Sequence, residues 1–204
     1  TQGAFVVPGA NGGANIPGGA AVDPETGILY VASQRGHSVI SLIPGDQRSE
    51  VVGGEDSNMH YVSSGPGGIR GPEGLPILKP PYGTITAIDL NSGDHVWQIP
   101  NGQTPDNIRN HRALQGVDIP NTGKNAHANI LVTKTLLFYG EGRGQDPLLH
   151  VVDKATGREL ATIELPAPTN TAPMSYVHDG KQYIVLSVAG PGVPAMMVAL
   201  ALPE

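Results

Sequence analysis

The chain has 204 residues, 28 of them Gly and 19 Pro, with 12 Lys and Arg against 18 Asp and Glu for a formal charge of −6. Those 47 Gly and Pro are about twice the ordinary share, and because both break helix interiors they exclude a helical bundle or a coiled coil. Only 15% of residues are charged and none is Cys, which excludes a highly charged disordered tail, disulfides and thiolate metal sites.

Lys and Arg are nowhere concentrated, so nucleic acid has no basic footprint to bind. No window approaches the roughly 18 consecutive apolar residues of a membrane span. The first residues, Thr1-Gln2-Gly3-Ala4, carry neither an initiator Met nor the basic and apolar regions of a signal peptide. The expectation is a processed product or a piece of a longer protein.

In chain order, short apolar runs with period-2 alternation predict strands over residues 4–7, 18–22, 28–32 and 38–43. A Gly/Pro/Ser-rich stretch over 44–81 follows, with little apolar patterning beyond Val51-Val52 and Tyr61-Val62. It reads as a long ordered loop with at most one edge strand, of the kind that is usually functional or mobile. Strands resume over 83–90 and 95–99. One helix signal comes next: Thr104 to cap, Pro105 at the first helical position, Asp106 in the first turn and Gly116 to end it. Strands over 130–133, 136–139, 148–152, 159–165, 172–177, 181–188 and 195–200 complete the chain. The fold class is all-β, with about a dozen strands and one short surface helix.

A pattern D-x-x-[S/T]-G recurs as Asp23-Pro-Glu-Thr-Gly27, Asp89-Leu-Asn-Ser-Gly93 and Asp153-Lys-Ala-Thr-Gly157. In such a turn the Asp carboxylate accepts backbone N–H groups and the Gly supplies a positive φ. The glycines lie 66 and then 64 residues apart (93 − 27 and 157 − 93), which suggests repeated antiparallel sheets of four strands, as in propeller blades.

The segment from Lys79-Pro-Pro-Tyr to His95-Val-Trp97, with its Ala-Ile-Asp-Leu-Asn-Ser-Gly core, resembles the blade motif of the pyrroloquinoline quinone (PQQ)-dependent dehydrogenases. Within them it is most similar to the membrane glucose dehydrogenase-like branch. Residues 12–31, 153–166, 172–185 and 198–203 agree with the same family in the same order. The resemblance implies blades of four antiparallel strands taken from an eight-bladed quinoprotein propeller. Residues 1–204 would then be its C-terminal portion, about three blades with a long loop over 44–81. It implies PQQ as cofactor, with a calcium ion liganded mainly from the N-terminal portion, which would also supply the catalytic base. The expected partners are that N-terminal portion, in the same or a separate chain, a sugar or alcohol substrate, and a quinone or cytochrome electron acceptor, all in the periplasm.

Carried over residue by residue, Asn15 falls where the family has a cofactor-bonding Asn, and an amide suits a quinone carbonyl or carboxylate. The Trp that follows it in the family is Ile16 here. Asp146 falls where the glucose dehydrogenase branch has an Asp near the cofactor. Ala161 stands where the third turn motif would carry a docking Trp, leaving Trp97 as the only Trp, and Ala128-Asn129 stands where Gly-Gly is common.

The seven histidines show no metal-ligand spacing and read as surface or satisfied loop residues. His60 and His127 lie in loops that could face a propeller axis. Gly190-Pro-Gly-Val-Pro-Ala195 fits a dinucleotide fingerprint only formally, since prolines fill it and no helix can follow. Two functions remain open on the residues: part of a PQQ-dependent dehydrogenase acting on a carbinol, and a non-catalytic propeller module that has lost the redox site.

Overall fold

Tight turns between antiparallel strands are what a chain so rich in Gly and Pro can build, and the computed structural model describes residues 3–10, 12–14, 18–65 and 67–203 as such an assembly. After β1 (Ala4–Val6) and β2 (Gly13–Ala14), the first sheet takes β3 (Ala20–Asp23) and β4 (Ile28–Gln34). A long insertion leaves β4, holding β5 (Ser38–Ile40), β6 (Leu42–Pro44), the single turn α1 (Arg48–Val51) and β7 (Tyr61–Ser63). The chain returns through β8 (Gly83–Asp89) and β9 (His95–Pro100), giving the order β3-β4-β8-β9, with β2 also paired to β4.

Residues 101–128 then carry a second helical turn, α2 (Asp106–Arg109). The second sheet is β10 (Asn129–Val132), β11 (Leu136–Gly140), β12 (Leu148–Asp153) and β13 (Glu159–Glu164), in sequence order. The third has three strands, β14 (Met174–His178), β15 (Lys181–Gly190) and β16 (Val193–Ala201).

Two apolar layers join the sheets. Tyr30, Ile85, Ala87, Ile130, Leu137 and Val152 pack between the first and second, and Leu149, Leu165, Leu186 and Val188 between the second and third. The antiparallel order gives the sheets two unlike ends. At one end lie the short turns after β3, β8, β10 and β12; at the other lie the insertion and the connections 101–128, 141–147 and 165–173.

The three D-x-x-[S/T]-G segments all form turns of the expected kind. Asp23, Asp89 and Asp153 each accept from the backbone N–H two residues on, at 3.1, 2.8 and 3.0 Å, and Gly27, Gly93 and Gly157 have φ of +70°, +80° and +73°. Their spacing has two different origins. The last two turns join the third and fourth strands of successive sheets, each beside a bulge, at Ala87/Ile88 and at Val151/Val152. The first turn joins the first two strands of the sheet that also holds the second. Hence the 64-residue interval is a structural repeat, whereas the 66-residue interval reflects the length of the insertion between β4 and β8.

The expected helix after Thr104 is shorter than its end signals suggest. Only α2 forms, followed by a 3₁₀ turn at Arg112–Leu114, because Ile108 alone on this segment is buried and one apolar side chain cannot hold a longer helix against its nucleation cost. Thr104 does not cap it; its hydroxyl accepts from the Thr122 N–H at 3.0 Å and donates to Asn121 at 3.4 Å.

Trp97 docks the first sheet on the second, as the resemblance implies. Its indole N–H donates to the Lys154 carbonyl at 3.0 Å, Tyr30 Oη donates to the same carbonyl at 3.2 Å, and the Trp97 ring covers Gly157. Beside it Lys154 Nζ reaches Asp23 Oδ2 at 2.5 Å, and this hydrogen bond holds the Asp23 carboxyl down to about 2. Ala161 pairs with Val151 as Trp97 pairs with Ala87, so the second sheet lacks the equivalent aromatic dock.

A Cβ on Gly157 would lie 2.9 Å from the Trp97 ring on a backbone of positive φ. Gly157→Ala therefore costs about 1–2 kcal/mol, and Trp97→Ala about 2–4 kcal/mol. Since the two groups touch, the double variant loses less than the sum in chemical denaturation of the full-length protein. Strictly additive losses would show that the ring is not the dock.

Candidate functional site

From the loop end of the second sheet a chain of charges runs into the sheet, with Lys124, Glu141 and His150 buried and Asp146 and Glu159 at its exposed ends. Glu141 follows β11, Asp146 precedes β12, His150 lies within β12 and Glu159 opens β13. Lys124 comes to them from the 101–128 connection, where its backbone N–H donates to the Asn101 carbonyl at 2.8 Å and the Asn101 N–H donates to the Gly83 carbonyl at 2.9 Å. The backbones there approach so closely that a Cβ on Gly83 would fall 1.8 Å from the Lys124 carbonyl oxygen. The sequence needs Gly at that strand start to admit the lysine segment.

Lys124 Nζ donates to one oxygen of Glu141 and, at 2.5 Å, to Asp146 Oδ2. Glu141 is only 1% exposed, and its other oxygen meets His150 Nε2 at 3.1 Å. His150 Nδ1 reaches Glu159 Oε2 at 2.6 Å, and Tyr139 stacks on the imidazole with centroids 4.4 Å apart and planes 9° from parallel. The Asn101 amide nitrogen donates to the carbonyls of Ala126 and Glu141, both at 3.3 Å, fixing the start of the 141–147 connection.

Carboxylates accept and do not donate, so an imidazole between two of them holds protons on both nitrogens and is cationic. Burial works against that charge, but the hydrogen bonds with Glu141 and Glu159 outweigh it and raise the His150 pKa above 6.5. For Lys124 the balance is similar: burial opposes the charge, and the hydrogen bonds to Asp146 and Glu141 keep the ammonium protonated. Two cations thus face three carboxylates. The interior carboxylate of Glu141 is neutralised from both sides, while Asp146, 63% exposed, presents the open end of the chain to solvent.

Of the residues singled out in the sequence, Asp146 belongs to this network, and Asn15 and Ile16 lie outside the described residues. His127 sits at the same loop end with its Nε2 3.1 Å from Gln34 Nε2, whereas His60 is exposed in the insertion, its carbonyl accepting the Gly45 N–H at 3.1 Å. Asn129, beside Ala128, donates its amide to Thr169 Oγ1 at 3.2 Å and so joins the second sheet to the third. His150, read from sequence as a surface or loop residue, is instead a buried strand residue, because two carboxylates satisfy it. Lys124 and Glu141 were not singled out at all. Their signal was a charge placed against apolar or Gly-rich neighbours, Tyr139-Gly-Glu141 and Thr122-Gly-Lys124, and Leu-Leu-His150-Val-Val repeats it.

The chain matches the glucose/ethanol/alcohol dehydrogenase β-propeller domain family of PQQ proteins over residues 1–184, and it belongs to that family. It is similar to a probable quinate dehydrogenase (quinone) of Xanthomonas campestris pv. juglandis, 32% identical over 97% of this chain and 27% of that protein. It is also similar to a quinate/shikimate dehydrogenase (quinone) of Acinetobacter baylyi, 31% identical over 90% of this chain and 24% of that protein. A quinoprotein glucose dehydrogenase A of Acinetobacter calcoaceticus is 29% identical over all of this chain and 26% of its own length. The chain therefore spans about a quarter of the length of these relatives. Among solved structures, a quinohemoprotein alcohol dehydrogenase from Comamonas testosteroni shares the fold, with a TM-score of 0.51 at 18% identity over 89% of this chain and 24% of that one. A europium-containing methanol dehydrogenase does so with 0.51 at 21% identity over 83% and 24%.

The raised His150 pKa has a signed consequence. A group whose folded pKa lies above its unfolded value contributes stability that is fully present below the unfolded value, about 6.5, and is lost as pH rises through the folded value. The full-length protein therefore loses melting temperature as pH is raised from 6 to 9, and His150→Gln flattens that slope while lowering stability at pH 6. An unchanged slope in the variant would assign the titration to another group.

Proposed function

We propose that this chain forms the C-terminal portion, about three blades, of the catalytic propeller of a PQQ-dependent dehydrogenase that oxidises the carbinol of a polyol, sugar or alcohol. The reading rests most on the Lys124–Asp146 pair, held at the loop end by a carboxylate that is itself locked by His150. PQQ is planar, carries carboxylates, and calls for a fixed cation and hydrogen-bond donors at its edge. The donor set fits: an ammonium has three N–H groups, and Glu141 and Asp146 engage two of them here, leaving one for an anionic ligand.

When bound, PQQ supplies the hydride acceptor for the carbinol carbon. This chain's part is to bind and orient. Glu141 keeps Lys124 charged and in place, Asp146 fixes the direction of its ammonium, and the stacked Tyr139–His150 pair excludes water from behind. Asn15 is proposed as a second cofactor contact through its amide. Among the described residues no group of three His, Asp or Glu is disposed to hold a metal. On the family resemblance we assign the calcium ligands mainly, and the base, to the N-terminal portion, in the same or a separate chain, and derive no step through the ion. The substrates named for the quinate relatives make a cyclic polyol the first compound to try, with a quinone or a cytochrome as electron acceptor and the periplasm as location. No helix among the described residues is long and apolar enough to cross a membrane.

Cofactor titration of the full-length protein tests the assignment. Lys124→Met leaves Glu141 only the imidazolium and so lowers stability, while PQQ affinity of the folded protein drops tenfold or more; Asp146→Asn, at the exposed end, weakens binding in the same direction but less. Failure of the full-length protein to take up PQQ with calcium would refute the function. Normal uptake by both variants would refute the site.

A further inference from the structure

A second polar feature lies at the same loop end and takes no part in the Lys124 network. The insertion and the 101–128 connection enclose a cleft of about 310 Å³, at the small end of the usual range for small-molecule sites. Tyr82, Ile108 and Leu75 give it apolar walls, while Arg35, Arg70 and Asn125 bring polar groups to it. In a chain of formal charge −6, no Asp or Glu among the described residues lines this cleft. Among the described residues, neither Arg35 nor Arg70 has a carboxylate within ion-pair distance.

Both arginines stand on backbone that is tied down. The Arg35 N–H donates to the Tyr82 carbonyl at 2.7 Å, and the next residue donates to the Pro8 carbonyl at 3.0 Å. The Arg70 segment is held by a two-way bridge between Val39 and Gly67, at 2.8 and 3.0 Å, and by the Ile69 N–H donating to His37 Nε2 at 2.9 Å. In that bond His37 Nε2 accepts, fixing the backbone one residue before Arg70. The acid nearest in sequence, Glu73, is turned to Arg112, with Oε2 3.0 Å from Nε, on a backbone of φ +56° that a non-Gly residue rarely adopts. The arrangement therefore withholds from the cleft the one carboxylate that would neutralise Arg70.

Two exposed arginines that line one cleft beside apolar walls, neither engaged in an ion pair, are the donors that a carboxylate on a small carbon skeleton calls for. We propose that Arg35 and Arg70 bind the carboxylate of an anionic substrate, a polyhydroxylated carboxylic acid, beside the Lys124–Asp146 site. Asn125 follows Lys124 in sequence, and Arg35 follows Gln34, the partner of His127, so the cleft and the proposed cofactor site share their connecting segments. This inference rests on the proposed function for the identity of the reacting site. The carboxylate preference rests on the cleft alone.

Carboxylates could reach the arginines from the substrate or from PQQ itself, and the test separates the two. Quinate and its methyl ester, which keeps the hydroxyls and loses the charge, are compared with the full-length protein by calorimetric binding and, with PQQ and calcium, by dye reduction. The double variant Arg35→Gln/Arg70→Gln is expected to weaken quinate binding and raise its KM tenfold or more, leaving the ester and the Kd for PQQ within twofold of the parent. Arg35→Lys/Arg70→Lys retains part of the quinate affinity, which a merely unfolded variant would not. Equal losses for acid and ester, unchanged quinate binding, or a loss confined to PQQ would each overturn the proposal. Calorimetric binding needs no turnover, so a protein that binds quinate through these arginines yet never reduces dye would sink the dehydrogenase reading and leave the carboxylate site standing.

Discussion

A carboxylate buried as deeply as Glu141 survives ionised only if cations and donors replace the water it has lost, because an uncompensated charge in a low-dielectric interior costs several kcal/mol. Lys124 and His150 meet that demand from opposite sides. Each in turn requires something of the fold. Lys124 needs the 101–128 connection threaded against Gly83, and His150 needs Glu159 on the neighbouring strand and Tyr139 over its ring. The loop end of two sheets is thus specified by one acid, and the ammonium it holds is the group we propose as the anchor for the anionic cofactor.

The opposite end is organised by different chemistry. There the turns are short, the Asp carboxylates accept backbone N–H groups from their own turns, and Trp97, Tyr30 and Asp23 converge on Lys154. Those contacts join the first sheet to the second at few points and leave the long connections free to vary. Such a division explains how one chain can carry a rigid inter-sheet dock at one end and adaptable polar loops at the other.

Much of the fold was legible because its signals are local. Alternating apolar residues located the strands, and Asp-to-Gly turns located the repeat from Asp89 to Asp153, where identical bulges show that the match is structural. The Asp23 copy misled because turn chemistry is the same in any tight connection and says nothing about which two strands it joins. The helix signal at Thr104 misled because caps describe ends, and only burial of a face sustains the turns between them. At the site, Asp146 was reachable through its place in a family pattern. Lys124, Glu141 and His150 were not, for their meaning lies in side chains brought together from three separate segments, and a charge amid Gly or apolar neighbours does not reveal its partner.

The claim on which the rest depends is that the Lys124 ammonium, oriented by Glu141 and Asp146, is this chain's anchor for an anionic cofactor. An experimental structure of the full-length protein with PQQ and calcium bound tests it most directly. The account predicts a PQQ oxygen within hydrogen-bond distance of Lys124 Nζ, with the Glu141 and His150 contacts preserved. PQQ bound away from Lys124, with the ammonium still shared only between Glu141 and Asp146, would contradict it.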